Sequence, residues 1–211
     1  MKLNIGSGRK RLEGYTNIDM NPKLNPDLVC NLASEGWPIS DGIVTEGVCS
    51  HVMEHLPNTP EPFFHFLREL YRVCANGAVI HVAVPHPRND LFFRDPTHVR
   101  PILPDMLVPF SKRQHAEEWA RGNMLHPWHE EIGVNFDVGN PYYILDEDGG
   151  ALVACYALVA RGLRNASGLH NAADNLRRSD GTEAAWWMGL MTGGKRVRAM
   201  RALRILIEAV K

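Results

Sequence analysis

Charge of one sign is what this chain most conspicuously lacks: 23 Lys and Arg stand against 24 Asp and Glu, a net charge of -1. No global field therefore draws it to nucleic acid, and none is expected as a partner. Cysteine is scarce as well. Cys30, Cys49, Cys74 and Cys155 are scattered and form no C-x-x-C pair, which argues against a structural zinc site or a disulfide framework and suggests a reducing compartment. No apolar run approaches the roughly 20 residues that span a bilayer. A strand pattern starts directly at Lys2, leaving no room for a signal peptide, so the expected location is the cytoplasm. Repeats and low-complexity segments are missing too. With 211 residues, 45% hydrophobic and 22% charged, the chain suits one well-buried domain with a smaller appendage.

The first half alternates short apolar runs with turn and helix signals, the pattern of a parallel α/β sheet. Strands are expected near residues 2–5, 16–19, 27–30, 43–49 and 78–84, and two more at 142–148 and 151–160, closing through Asp148-Gly149-Gly150 as an antiparallel hairpin. That makes a mostly parallel, seven-stranded sheet. Phe63, Phe66, Leu67, Leu70 and Val73 predict a helix over 61–74, with Asn76-Gly77 as its stop. Only residues 9–15 separate the first two strands, so the helix of that crossover must shrink to about a turn. Residues 85–141 hold eight of the 14 prolines and five of the 10 histidines, an elaborate loop or small helical insertion over a site. The expected organisation is a domain at 1–160 with 85–141 as a substrate-site insertion, then a helical extension at 161–211.

Chemistry is concentrated at strand ends. Gly6-Ser7-Gly8 follows the first strand, where glycines let the backbone approach a ligand closely. Asp19 ends the second strand, placed to accept from the two hydroxyls of a ribose. The stretches Leu3-Asn4-Ile5-Gly6-Ser7-Gly8, Gly14-Tyr15-Thr16-Asn17-Ile18-Asp19, Ser50-His51-Val52-Met53-Glu54-His55 and Arg72-Val73-Cys74-Ala75-Asn76-Gly77 come in an order that resembles the class I S-adenosylmethionine-dependent methyltransferases. They are most similar to a small bacterial subgroup, type 11. The resemblance covers about residues 2–110 and the closing hairpin, and implies a Rossmann-like fold with S-adenosyl-L-methionine as cofactor. It implies that Asn4, Gly6, Ser7 and Gly8 line the methionine portion and that Asp19 holds the ribose. Asn31 and Leu32 would lie at the adenine edge, where relatives usually carry Asp-Leu, and Ser50 and His51 where the methyl group is presented. Glu46 is an unusual polar residue for a buried strand.

Four further features carry alternatives. His51-Val52-Met53-Glu54-His55 satisfies H-x-x-E-H, a zinc-peptidase signature if carried on a long helix with a third ligand downstream, but Leu56-Pro57 closes the segment at once; Glu54 and His55 read instead as buried groups tying the fourth strand to its neighbours. Arg94-Asp95-Pro96-Thr97-His98-Val99-Arg100 resembles stretches that relatives place over the methyl site, making His98 a candidate base with Asp95 as orienter and His51 a second candidate. The alternative is an Asp95–Arg100 pair that holds the loop, with His98 as packing. His126-Pro127-Trp128-His129-Glu130-Glu131 could bind a metal or line a pocket mouth, with Trp128 or Trp119 as substrate wall. Basic residues from Lys195 to Arg204 interleave with apolar ones, a helix that could pack on the domain or lie weakly on a membrane surface.

Together these readings predict methylation, at oxygen or nitrogen, of a small-molecule or glycan-type acceptor, with no metal assigned to the site. A cofactor-binding protein without catalysis and a metal-dependent hydrolase are the rival classes.

Overall fold

A computed structural model describes residues 1–146 and 149–162. The expected C-terminal helix, and Trp186-Trp187 before it, lie outside the described residues.

Eight strands form one sheet: β1 (Lys2–Ile5), β2 (Thr16–Asp19), β3 (Leu28–Val29), β4 (Val44–Ser50), β5 (Cys74–Pro85), β6 (Phe136–Val138), β7 (Tyr142–Leu145) and β8 (Ala151–Ala160). Their order is β3-β2-β1-β4-β5-β8-β6, with β7 also paired to β8. Strands β1 to β5 are mutually parallel, and β8 runs antiparallel to β5, β6 and β7. Seven strands thus lie on one hydrogen-bonded path, and the eighth lies off it. The strand the sequence hid is β6, three residues at the end of the proline-rich segment. Pro141, which has no N–H to donate, falls between β6 and β7 where they lie end to end along β8.

The crossover from β1 to β2 has no helix, and one side chain replaces it. Asn17 is buried. Its carbonyl oxygen accepts from Leu12 N and Asn4 Nδ2, both at 2.8 Å, and its amide shares protons among the Leu12 and Tyr15 carbonyls and Asp27 Oδ2. These bonds satisfy polar groups that a helix would otherwise have paired internally. Tyr15 is fixed further down by donating to Glu46, which also pairs with Lys2 at 2.8 Å. The polar residue in β4 is thereby explained: Glu46 is half-buried and has two partners.

Helix α1 (Pro60–Val73) opens with Pro at its first position and buries the five expected apolar residues. The chain is already extended at Cys74, which pairs with Val44, before it loops out through Gly77 (φ 82°) and returns as β5 at Val79. Asn76-Gly77 therefore shapes a bulge rather than ending the helix. Along residues 85–141 lie α2 (Asp90–Phe93), a 3-10 turn at Pro104–Phe110, α3 (Lys112–Ala120) and α4 (Trp128–Glu131). The main core joins α1 to the inner residues of β1, β2, β4, β5, β6 and β8, with Ile102, Leu107 and Phe110 from the insertion.

Candidate functional site

Parallel strands that change direction of succession leave a crevice beyond their carboxyl ends, and here the change falls between β1 and β4. Of the sequence-predicted cofactor residues, Gly6, Ser7, Gly8, Asp19, Asn31, Ser50 and His51 lie at the ends of β1, β2, β3 and β4, whereas Asn4, within β1, and Leu32, in the core, are buried. Gly6 and Gly8 have φ of 62° and 53°, a left-handed backbone that glycine adopts without strain. A Cβ on Gly6 would sit 2.4 Å from Val52 Cγ2, so the turn after β1 packs directly on the turn after β4. Ser7 N donates to Ile18 O at 3.0 Å, while Ser7 Oγ is buried with no hydrogen-bond partner. Asp19 Oδ2 accepts from Gly8 N and Oδ1 from Asn21 N, both at 2.8 Å. The carboxylate thus links the two turns, and each oxygen keeps a second lone pair for a hydroxyl.

Asn4 is placed differently from its neighbours. Its amide donates to Lys10 O and Asn17 Oδ1, both at 2.8 Å, so it holds the glycine turn from below. Asn31 Oδ1 accepts from Ala33 N at 3.1 Å, capping the turn beyond β3. The neighbouring Leu32 is buried in the core and accepts from Trp37 Nε1.

The end of β4 holds the densest chemistry. Ser50 is its last residue, and His51 follows with φ 56°, a conformation that costs energy for a residue other than glycine and persists only when its surroundings hold it. Two bonds hold it: His51 N donates to Ala83 O at 2.9 Å, and Nδ1 lies 3.0 Å from Glu54 Oε1. A carboxylate beside Nδ1 keeps the proton there and leaves Nε2 with a lone pair. His51 is half-exposed and Glu54 fully buried. Glu54 Oε2, also buried, has no hydrogen-bond partner.

The loop after α2 folds over this turn. Val99 N and Arg100 N both donate to Glu54 O, at 3.0 and 3.1 Å. His98 stacks edge-on against His55 at 4.7 Å, and its Nδ1 lies 2.8 Å from Phe92 O. Asp95 does not orient His98 as expected, since the nearest approach is 4.0 Å. Its Oδ1 instead accepts from Thr97 N and Thr97 Oγ1, bonds that hold the carboxyl below its usual range. The expected Asp95–Arg100 pair is not formed either. Arg100 donates to the carbonyls of Pro57 and Thr59 and lies 4.7 Å above the Phe63 ring, so it anchors the loop to the start of α1.

The H-x-x-E-H run forms no long helix. Met53–His55 is a single 3-10 turn with His51 before it, and His55 is exposed, not a buried tie. Among the described residues, one group of His, Cys, Asp and Glu brings three ligand atoms within 4.8 Å of one another: Glu54, His55 and His98, without His51. The 126–131 run does not gather in this way. His126 pairs with Glu131 at 2.7 Å, His129 is buried near Pro109 O, and Trp128, half-buried, packs on Phe64 at 4.8 Å at the margin of the core. Trp119 lies on the surface of α3. Sequence reasoning missed Glu54 as the partner of His51, although the i, i+3 spacing across a tight turn was the available signal.

No family model and no curated protein sequence matches this chain. Among solved structures it is similar to an S-adenosylmethionine-dependent methyltransferase from Archaeoglobus fulgidus, at 18% identity and TM-score 0.50, covering 75% of this chain and 85% of that one. It is also similar to a methyltransferase from Methanosarcina mazei (14% identity, TM-score 0.46, 77% and 92% covered). A third is the Burkholderia thailandensis 1,6-didemethyltoxoflavin-N1-methyltransferase (8% identity, TM-score 0.47, 76% and 71% covered). The strand order and the first of these likenesses give the chain the Rossmann-like fold of class I methyltransferases.

Proposed function

We propose that this protein transfers the methyl group of S-adenosyl-L-methionine to a small-molecule or glycan-type acceptor, at oxygen or nitrogen. The observation that carries this reading is the convergence, at one crevice, of the Gly6–Gly8 turn, the Asp19 carboxylate linked to it, and the His51–Glu54 pair across from it. The glycines and the Ser7 hydroxyl suit the methionine portion, Asp19 the ribose, and the Asn31-Leu32 turn the adenine edge. No helix of the described residues is long and apolar enough to cross a membrane, and the four free thiols support action in the cytoplasm.

Methyl transfer from a sulfonium is an in-line displacement: the acceptor forms the new bond to carbon while the carbon–sulfur bond breaks onto sulfur. The protein contributes positioning and exclusion of water. An acceptor hydroxyl or ammonium also loses a proton, and His51 Nε2 takes it, with Glu54 stabilising the imidazolium that results. His51 is taken as the base ahead of His98 because a buried carboxylate stands behind it.

Calorimetry with S-adenosylmethionine and S-adenosylhomocysteine tests the reading: both should bind, and Asp19→Ala should weaken both. Binding of neither would overturn it. With an acceptor found by substrate screening, His51→Ala should lose about 10²–10⁴ in turnover while keeping cofactor affinity. His98→Ala losing as much, with the limb of the pH profile that reports the base abolished, would return the role to His98.

A further inference from the structure

The turn after β4 and the loop over it contain a second arrangement that methyl transfer does not require. Glu54 has one oxygen on His51 and the other buried without a donor. A polar oxygen buried without a hydrogen-bond partner is unfavourable unless something compensates it. His55 and His98 each bring a ring nitrogen within 4.8 Å of a Glu54 carboxylate oxygen, and the hydrogen bonds around the imidazoles decide which nitrogen carries the lone pair. Phe92 O can only accept, so His98 Nδ1 carries the proton and Nε2 the lone pair. Thr97 Oγ1 lies 2.6 Å from Asp95 Oδ1 and gives its proton to that carboxylate, so toward His55 Nδ1, 2.9 Å away, it can only accept. His55 Nε2 therefore also carries a lone pair. This is the preparation that metal-binding histidines require: the second nitrogen donates to a carbonyl or a carboxylate-backed acceptor, which fixes tautomer and ring orientation.

We propose that Glu54, His55 and His98 form a binding site for one divalent transition-metal ion, with zinc as the ion their chemistry fits. Two neutral imidazoles and one carboxylate make the His₂Glu set of zinc sites that keep a fourth position open. Their ligand atoms lie within 4.8 Å of one another. Zinc–nitrogen bonds of about 2.0 Å put the edge of the tetrahedron near 3.3 Å, so side-chain rotation has to draw the three together by up to about 1.5 Å. His55 is exposed and shares the loop contact with Thr97 and His98, and Glu54 and His98 come from the two segments already joined at Glu54 O. The ion would clamp the 95–100 loop onto the end of β4 and keep its fourth position open. That this position takes an acceptor oxygen rests on the methyl-transfer reading; the site itself does not.

The test uses the full chain, stripped of metal with chelator and titrated with Zn²⁺ by calorimetry and with Co²⁺ by visible absorption. One ion per chain should bind, Co²⁺ with the intense bands of four-coordinate geometry. His55→Ala and His98→Ala should each weaken binding by more than about tenfold, and Thr97→Val, which removes the acceptor behind His55, by about tenfold. His126→Ala should leave it unchanged. Because His55 is exposed, its variant tests the site without endangering the fold. Absence of saturable binding, or undiminished binding in either histidine variant, would overturn the proposal, whether or not S-adenosylmethionine binds.

Discussion

At Gly6 two separate costs meet that Gly8 divides. Both have a left-handed backbone, but only at Gly6 is the space of a Cβ taken, by Val52 Cγ2 at 2.4 Å, whereas nothing stands within 4 Å at Gly8. Gly8→Ala should cost only the backbone term, about 1–2 kcal/mol. Gly6→Ala should add about 1–3 kcal/mol of overpacking and push the β1 and β4 turns apart. Urea denaturation of the two variants decides this, and equal midpoints would mean that Val52 yields freely. Asp27 is the residue to follow with pH. The Asn17 amide, then the Arg11 guanidinium, lower its carboxyl from 3.8 to about 2. Folding therefore binds its proton less well than the unfolded chain does, and the stability it adds is full above pH about 4 and disappears as pH falls toward 2. Asp27→Asn should be less stable than the parent in thermal melts at pH 7, with the gap closing near pH 2; a gap independent of pH would refute the linkage.

Among the elements, the loop at 94–100 shows how far sequence reading reaches. The residues that matter were visible in it, His98, Asp95 and Arg100, but their partners were not. The bonds from Arg100 to the Pro57 and Thr59 carbonyls depend on where the loop lies relative to α1, and no spacing encodes that; those of Asp95 with Thr97 and of His98 with Phe92 O are local to the segment. Strands β1, β2 and β4 were legible because apolar alternation and terminal glycine or carboxylate are local signals. Strand β6 was not, being three residues long and held in the sheet by β8. The missing helix between β1 and β2 was legible from chain length alone, whereas its replacement by Asn17 was not, since that role needs Leu12, Tyr15, Asn4 and Asp27 in space. Asn17→Leu removes those bonds from the crossover. With two bonds accepted and two amide protons donated, at about 1 kcal/mol for each lost hydrogen bond, it should cost about 4 kcal/mol and raise hydrogen exchange across residues 9–15 well before the rest of the sheet. Uniform exchange across the molecule would show that the crossover is held otherwise.

For the whole molecule, the four thiols report on how cooperatively the sheet opens. Cys49, Cys74 and Cys155 lie in β4, β5 and β8, the middle of the sheet, while Cys30 follows the two-residue strand β3 at its edge. All four are buried. Burial pushes the Cys155 thiol up to about 12, and Cys30 up to about 11 with help from Glu35 and Glu69; Cys49 and Cys74 are raised as well. Since the thiolate is the nucleophile, none should react with a disulfide reagent at pH 8 in the native protein, and four should react after denaturation. Between those limits the order is set by topology. Exposing Cys30 needs only β3 and the turn beyond it to detach, a local opening at a sheet edge, whereas Cys49, Cys74 and Cys155 share strands that pair with one another and must open together. In low urea, labelling followed by peptide mass spectrometry should show Cys30 reacting first and the other three at one common, slower rate that tracks global unfolding. Cys74 reacting ahead of Cys49 and Cys155 would mean that the bulge at Gly77 opens independently, and that β5 is less bound to the cooperative unit than its pairing with β4 and β8 implies.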